Sequence, residues 1–287
     1  MDDGRSCILH TWLWRGISYI KRWTRGWGSN RQENQEGGIM KSLWLAAVMS
    51  MSIFLSGTGV TFAGDILAAA KAGDTARVKA SLSADPASVG ALSLDNKTPL
   101  HFAAMGGGEA VARILITAGA DINAQDKDHW TPLHCAALKN QVAVAKLLLV
   151  RGANIHAIDN TGSEPLFWAI GRDAPEMTRL LLENGANINA HRNDGRTPIH
   201  FAACGTYMGV AKLLLERGAD IRAPDNKGLT PLHMAVLHNQ KGMAQMLLMR
   251  GADVNAKDLS GRTPWKLAMT KNYKEMADYL QKQGGKE

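Results

Sequence analysis

From about residue 95 onward, apolar and polar residues come in blocks that return every 33 positions. One round opens with Thr131-Pro132-Leu133-His134-Cys135-Ala136-Ala137 and passes through polar Lys139-Asn140-Gln141. A second apolar block follows, carrying Leu147-Leu148-Leu149, and the round closes on Arg151-Gly152-Ala153. The first block predicts a short helix, because Thr is a preferred N-cap and Pro at the first helical position loses no hydrogen bond and has its φ preset. Small residues along it let the next unit approach closely. The second block predicts a helix over Val142–Val150, ended by Gly152 as a left-handed cap. A polar link with turn residues, such as Asp225-Asn226-Lys227-Gly228, then leads into the next Thr-Pro.

The register is strict. Thr98-Pro99-Leu100-His101, Thr131-Pro132-Leu133-His134, Thr197-Pro198-Ile199-His200, Thr230-Pro231-Leu232-His233 and Thr263-Pro264-Trp265-Lys266 share one grid. The remaining slot holds Glu164-Pro165-Leu166-Phe167, which keeps Pro and Leu but loses Thr and His together. The closing Gly-Ala returns at Gly119, Gly185, Gly218 and Gly251. Such a period signifies a stacked array, in which one helix pair cannot bury its apolar face alone and stability comes from neighbours. Full units are expected at 95–127, 128–160, 161–193, 194–226 and 227–259. Residues 64–94 are expected to form an N-terminal capping repeat, with helices over 66–72 and 75–82 around a Gly73-Asp74 turn and no Thr-Pro. Residues 260–287 are expected to form the C-terminal cap, where Lys266 replaces His and Lys274, Glu275, Asp278 and Lys282 make the last helix polar. The chain is expected to end loosely, at Gly284-Gly285-Lys286-Glu287.

The Thr-Pro-Leu-His-x-Ala-Ala core, the Leu-Leu-Leu run and the tails at 119–124 and 251–256 closely resemble the ankyrin repeat family. The resemblance covers about residue 65 to the C-terminus and implies an all-α solenoid of stacked helix-turn-helix units with finger turns. It further implies protein–protein recognition through the fingers and the concave face, and no chemistry. In the family, the residue before Thr lies on a finger, which here gives Lys97, Trp130, Ser163, Arg196, Leu229 and Arg262. Residues seven and eight after Thr lie on the concave face of the first helix: Met105, Leu138, Lys139, Arg172, Cys204, Leu237, His238 and Lys271. From these, the expected partner-binding set is Lys97, Trp130, Leu138, Lys139, Arg172, Arg196, Leu229, Leu237, His238, Arg262 and Lys271. An exposed Trp, two Leu and several Arg have the chemistry of interface anchors, unless Trp130 folds back against a neighbouring finger. Lys139, Arg172, His238 and Lys271 form a basic ridge broken at Gly205, which favours an acidic partner.

Upstream of the array the composition changes. Residues 40–63 read as a secretory signal, with Lys41 as the basic region, an apolar core over 43–55 and small residues ending Thr61-Phe62-Ala63. Its core is too short for a span of about 20 apolar residues. Cleavage after Ala63 is expected, with an uncleaved inner-membrane signal anchor as the alternative. Residues 1–39 hold Trp12, Trp14, Trp23 and Trp27 beside Lys21, Arg22 and Arg25. They read as an upstream extension from a mis-assigned start, since signals of this type begin at the initiator Met, here Met40. The other reading is an interfacial amphipathic helix presenting Leu9, Leu13, Ile17 and Ile20.

Charge and candidate chemistry alter little. The formal net charge is +7, but from Gly64 onward 26 basic and 22 acidic side chains leave only +4, too mild to indicate nucleic-acid binding. Cys135 and Cys204 lie two units apart, too far to bridge; Cys204, nearer the concave face, is the expected reactive thiol. A metal needs ligands converging on one point, whereas His101, His134, His200 and His233 sit at least one unit apart. Each is expected to bond its Thr hydroxyl and neighbouring backbone. Asp126, Asp159, Asp225 and Asp258 are read as turn residues. No catalytic constellation, phosphate loop or paired-Cys motif stands out, so neither an enzyme nor a cofactor is expected. The leading expectation is a monomeric binding scaffold, periplasmic or secreted and bacterial, with no membrane span after signal cleavage. The alternative is a secreted, host-directed effector using the same array.

Overall fold

The computed structural model describes residues 63–106 and 108–286. The segments read as an upstream extension (1–39) and an export signal (40–63) lie outside them, apart from Ala63. The helices, in chain order, are α1 (Ala63–Ala72), α2 (Thr75–Ala84), α3 (Pro99–Gly106), α4 (Glu109–Thr117), α5 (Pro132–Leu138), α6 (Val142–Val150) and α7 (Pro165–Ile170). There follow α8 (Pro175–Glu183), α9 (Pro198–Cys204), α10 (Met208–Glu216), α11 (Pro231–Leu237), α12 (Lys241–Met249), α13 (Pro264–Thr270) and α14 (Lys274–Lys282). A 3-10 turn at Pro86–Gly90 links α2 to the first full unit, and the described residues contain no strand. From α3 on, odd-numbered inner helices open at the grid Pro. The even-numbered outer helices α4 to α12 end before Gly119, Gly152, Gly185, Gly218 and Gly251, whose φ of 89–95° is the left-handed region that a Cβ would strain.

The inner helices pack on one another from α1 through α13, and the outer ones from α2 through α10. Three grid rows make the core. Leu100, Leu133, Leu166, Ile199 and Leu232 anchor the inner helices at 0–1% exposure. Leu115, Leu148, Leu181, Leu214, Leu247 and Leu280 lie fully buried in the outer helices. Burying each contributes about 1.5–3 kcal/mol. Between them Ala103, Ala136, Ala169, Ala202, Ala235 and Ala268 are all inaccessible, which lets neighbouring inner helices approach without a side chain between them.

The histidines join the units. Thr98, Thr131, Thr197 and Thr230 donate their backbone N–H to Nδ1 of His101, His134, His200 and His233 at 3.1–3.2 Å. Their Oγ1 atoms lie 2.8–2.9 Å from the same nitrogens. Because Nδ1 accepts, the ring proton sits on Nε2. From there it is donated across the unit boundary to the carbonyls of Trp130, Ser163, Leu229 and Arg262 at 2.9–3.1 Å. Burial pushes all four imidazoles below the ordinary histidine range, so they remain neutral.

The third full unit lacks this stitch. Phe167, 1% exposed, fills the histidine's space and meets Phe201 edge-on, with centroids 6.2 Å apart. Glu164 stands at the cap position without a side-chain capping bond, and its Oε1 lies 3.2 Å from His156 Nδ1. Losing both polar partners together avoids an orphaned imidazole.

One expectation fails at the C-terminus, where residues 284–286 are tied down. Lys286 donates its N–H to Asn255 Oδ1 at 2.8 Å, and its carbonyl accepts from Thr263 Oγ1 at 2.7 Å. The same Asn-to-next-unit bond links Asn123 to Asn154 and Asn189 to Asp220. The tail thus satisfies groups that a further unit would otherwise meet. No helix among the described residues is long and apolar enough to cross a membrane.

Candidate partner-binding surface

The finger turns are held by their aspartates. Oδ1 of Asp126 accepts the N–H of Asp128 and of Trp130, both at 2.9 Å. Asp159, Asp225 and Asp258 do the same for residues two and four further on, at 2.7–3.0 Å. These carboxylates are turn chemistry, as the spacing predicts. Their second oxygens organise the finger side chains. Lys97 Nζ meets Asp126 Oδ2 at 2.6 Å, joining the two ends of unit 95–127. Arg262 Nε and Nη2 both reach Asp258 Oδ2 at 2.8 Å. Arg196 Nε lies 3.6 Å from carboxylate oxygens of both Asp194 and Asp225. Burial alone would raise the Asp126 carboxyl, but Lys97 and the turn N–H groups outweigh it and hold it below the usual range. Asp258 is likewise held low against its burial, by Arg262.

Three of the expected finger cations, Lys97, Arg196 and Arg262, are therefore bound within the turns rather than free. Leu229 departs further. It is 4% exposed and its side chain belongs to the buried core, although its backbone makes the same turn and stitch bonds as that of Trp130. The expectation that it offers an exposed anchor is corrected.

Trp130 is half-buried, and its ring leans on Trp168 of α7 with centroids 4.4 Å apart. It packs on the inner helix of the next unit, so its partner is not a neighbouring finger. Beside it lies a groove of about 200 Å³ lined by Lys97, Met105, Asp126, Asp128, Trp130, Cys135 and Leu138. Three expected residues, Lys97, Trp130 and Leu138, thus share one cavity. Leu237 is half-buried on α11, while Lys139, Arg172, His238 and Lys271 are all exposed at the ends of their inner helices. Arg172 also reaches back one unit, donating from Nε to the Leu138 carbonyl at 3.0 Å.

Outside the expected set, one inner-helix row is part-exposed at Phe102, Trp168 and Phe201 and buried at Cys135, Met234 and Leu267. The fourth residue after each cap position runs Phe102, Cys135, Trp168, Phe201, Met234 and Leu267 along the inner helices. Trp168 donates its indole N–H to Asp159 Oδ2 at 3.0 Å. One unit on, the equivalent pair is Phe201 and Arg192, with the guanidinium carbon 5.6 Å from the ring centroid. Arg192 occupies the grid position of the turn aspartates, a break legible in the sequence. Cys204 corrects the thiol expectation: burial pushes it up to about 11, and Sγ lies 3.2 Å from the His200 carbonyl. Cys135, nearly inaccessible, is pushed up to about 12. Both stay protonated, and a thiol in that form is a poor nucleophile.

The sequence comparisons agree with this architecture. The family model described as ankyrin repeats (3 copies) matches residues 66–159, 144–225, 166–258 and 224–287. No curated protein matches the chain. With residues 66–287 covered by that model, the chain belongs to the ankyrin repeat family, whose repeats are in general protein–protein interaction modules and typically carry no enzymatic activity.

Proposed function

We propose that this protein is a non-enzymatic scaffold, exported across a bacterial inner membrane, that holds a protein partner on the face formed by fingers and inner helices. The observation that carries the binding surface is the groove beside Trp130, where an aromatic wall and Leu138 meet the Lys97–Asp126 ion pair. Aromatic anchors in such dents, ringed by polar groups, dominate interface energetics. The exposed ridge of Lys139, Arg172, His238 and Lys271 favours a partner of acidic character.

A photo-crosslinking residue at Leu138 tests the face against the same residue at Lys146, exposed on the outer helix α6. Adducts are expected from position 138 and not from 146; adducts from 146 alone would move the interface to the outer helices. Trp130→Ala is expected to weaken the captured complex by about 2 kcal/mol or more, roughly thirtyfold in Kd, while the circular dichroism stays unchanged. An unaltered Kd would remove Trp130 as the anchor.

Export rests on residues 40–63, with Lys41 followed by the apolar run and Thr61-Phe62-Ala63. Cleavage after Ala63 leaves residues 64–72 of α1 in the mature chain. The protein recovered from a periplasmic fraction is expected to begin at Gly64. N-terminal sequencing that returned Met1 or Met40 would overturn the export reading.

A further inference from the structure

Four fingers carry an aspartate that closes the turn, and the finger at the end of unit 161–193 carries Arg192 in its place. The exchange reverses a charge without supplying a partner for it. Two units earlier, within 95–127, Lys97 answers Asp126, but the residue equivalent to Lys97 here is Ser163. Arg192 forms no ion pair among the described residues, and its Nε is shut off from solvent with no acceptor. Across the same turn, where Arg192 donates its N–H to the Arg196 carbonyl at 3.0 Å, Arg196 Nε is also buried without a hydrogen bond. These are the buried side-chain nitrogens left unsatisfied among the described residues, and both belong to one finger. The nearby carboxylates are engaged with Arg196, whose Nε lies 3.6 Å from Asp194 Oδ2 and from Asp225 Oδ2, and with the turn. Asp194 Oδ1 holds the Arg196 N–H at 3.1 Å, and Asp225 Oδ1 holds those of Lys227 and Leu229.

The setting of Arg192 is built. Its guanidinium lies over Phe201, whose Cε1 would stand 3.2 Å from a Cβ at Gly171. Glycine at 171 thus admits the ring, and the exposed Arg172 follows immediately. Nε is closed off, but a guanidinium stacked on an aromatic ring can still turn its two terminal nitrogens to a planar anion, a geometry in which Arg binds a carboxylate at two points at once.

We propose that Arg192, on its Phe201 platform and beside Arg196, binds a carboxylate side chain of an acidic peptide segment of the partner. The inference deepens the scaffold reading and rests on it. The bound carboxylate replaces the aspartate missing from this finger, and the adjoining Trp168 and Trp130 receive the segment's apolar residues.

The test uses the purified protein and two labelled, end-capped peptides, Glu-Leu-Glu-Leu-Glu and Gln-Leu-Gln-Leu-Gln, read by fluorescence anisotropy. The Glu peptide is expected to bind at least tenfold tighter than its Gln twin. Arg192→Asp restores the residue of the other four fingers and so keeps the turn's hydrogen bonds, and Arg192→Gln removes the charge alone. Each is expected to weaken the Glu peptide at least tenfold and to leave the Gln peptide unchanged. Equal binding of the two peptides, no binding of either at millimolar concentration, or indifference to both Arg192 variants would overturn the proposal. If Trp130→Ala abolished binding while the Arg192 variants did nothing, the surface reading would stand and the carboxylate site alone would fall. Displacement of the Glu peptide by a single-stranded oligonucleotide in an Arg192-dependent manner would reassign the site to phosphates and overturn it as well.

Discussion

Phe167→Ala is expected to lower the unfolding free energy by about 3–5 kcal/mol, measured by urea denaturation followed by circular dichroism. Phe167 is 1% exposed and stands where four other units carry a histidine, in the unit whose cap is Glu164 rather than Thr. Truncation removes the ring's transfer energy and its edge contact with Phe201, and leaves a cavity at a boundary that has no histidine stitch. The carbonyl of Arg196, which a histidine at 167 would reach, keeps only the turn bond from Arg192 at 3.0 Å. Phe167→His alone should also destabilise, because no Thr hydroxyl stands at position 164 to meet its Nδ1. Adding Glu164→Thr should recover about 1–3 kcal/mol through the restored bonds. It also removes a carboxyl that burial pushes above its ordinary range, against the opposing pull of His156. Strict additivity of the two changes would show that Thr and His do not act as a pair at this boundary.

Acid is the second large lever. Each of His101, His134, His200 and His233 is driven below its ordinary range by burial, against the raising effect of its backbone acceptor. The unfolded chain takes up protons near pH 6.5, about the unperturbed histidine value, while the folded chain refuses them. The stabilisation is therefore complete above about pH 6.5 and drains away as pH falls toward the depressed folded values. With four such sites the steepest slope is about 5 kcal/mol per pH unit. Asp126 and Asp258, also depressed, extend the loss into the carboxylate range, while Glu164, raised by burial, offsets part of it. Urea midpoints are expected to fall steeply between pH 7 and 5, and His233→Gln should flatten the slope by about a quarter. A stability that stayed level across that interval would mean that the stitches tolerate charge.

The periodic features were legible in the chain for a physical reason: each unit meets the same neighbours, so the same contact demands the same residue every 33 positions. The Leu and Ala rows, the Pro-initiated inner helices, the glycine caps and the Thr–His pairing all follow from that demand. So does the joint loss of Thr and His at Glu164 and Phe167, since one without the other leaves a buried polar orphan. The turn role of Asp126, Asp159, Asp225 and Asp258 was readable on the same grounds.

What the sequence by itself determined, then, is the unit, its register and its all-α class. The surface was decided only by the tertiary structure, because exposure depends on what the adjoining unit places alongside. Leu229 shares a grid position with Trp130, yet it sinks into the core while Trp130 leans on Trp168. Lys97 and Arg262 look free in one dimension and are claimed by Asp126 and Asp258 in three. The C-terminal tail is polar and glycine-rich, but Asn255 and Thr263 tie it down through the Lys286 backbone. Arg192 is the converse case. The break in the aspartate grid is visible in the sequence, but only the fold shows that its guanidinium lies over Phe201 with Nε unbonded among the described residues.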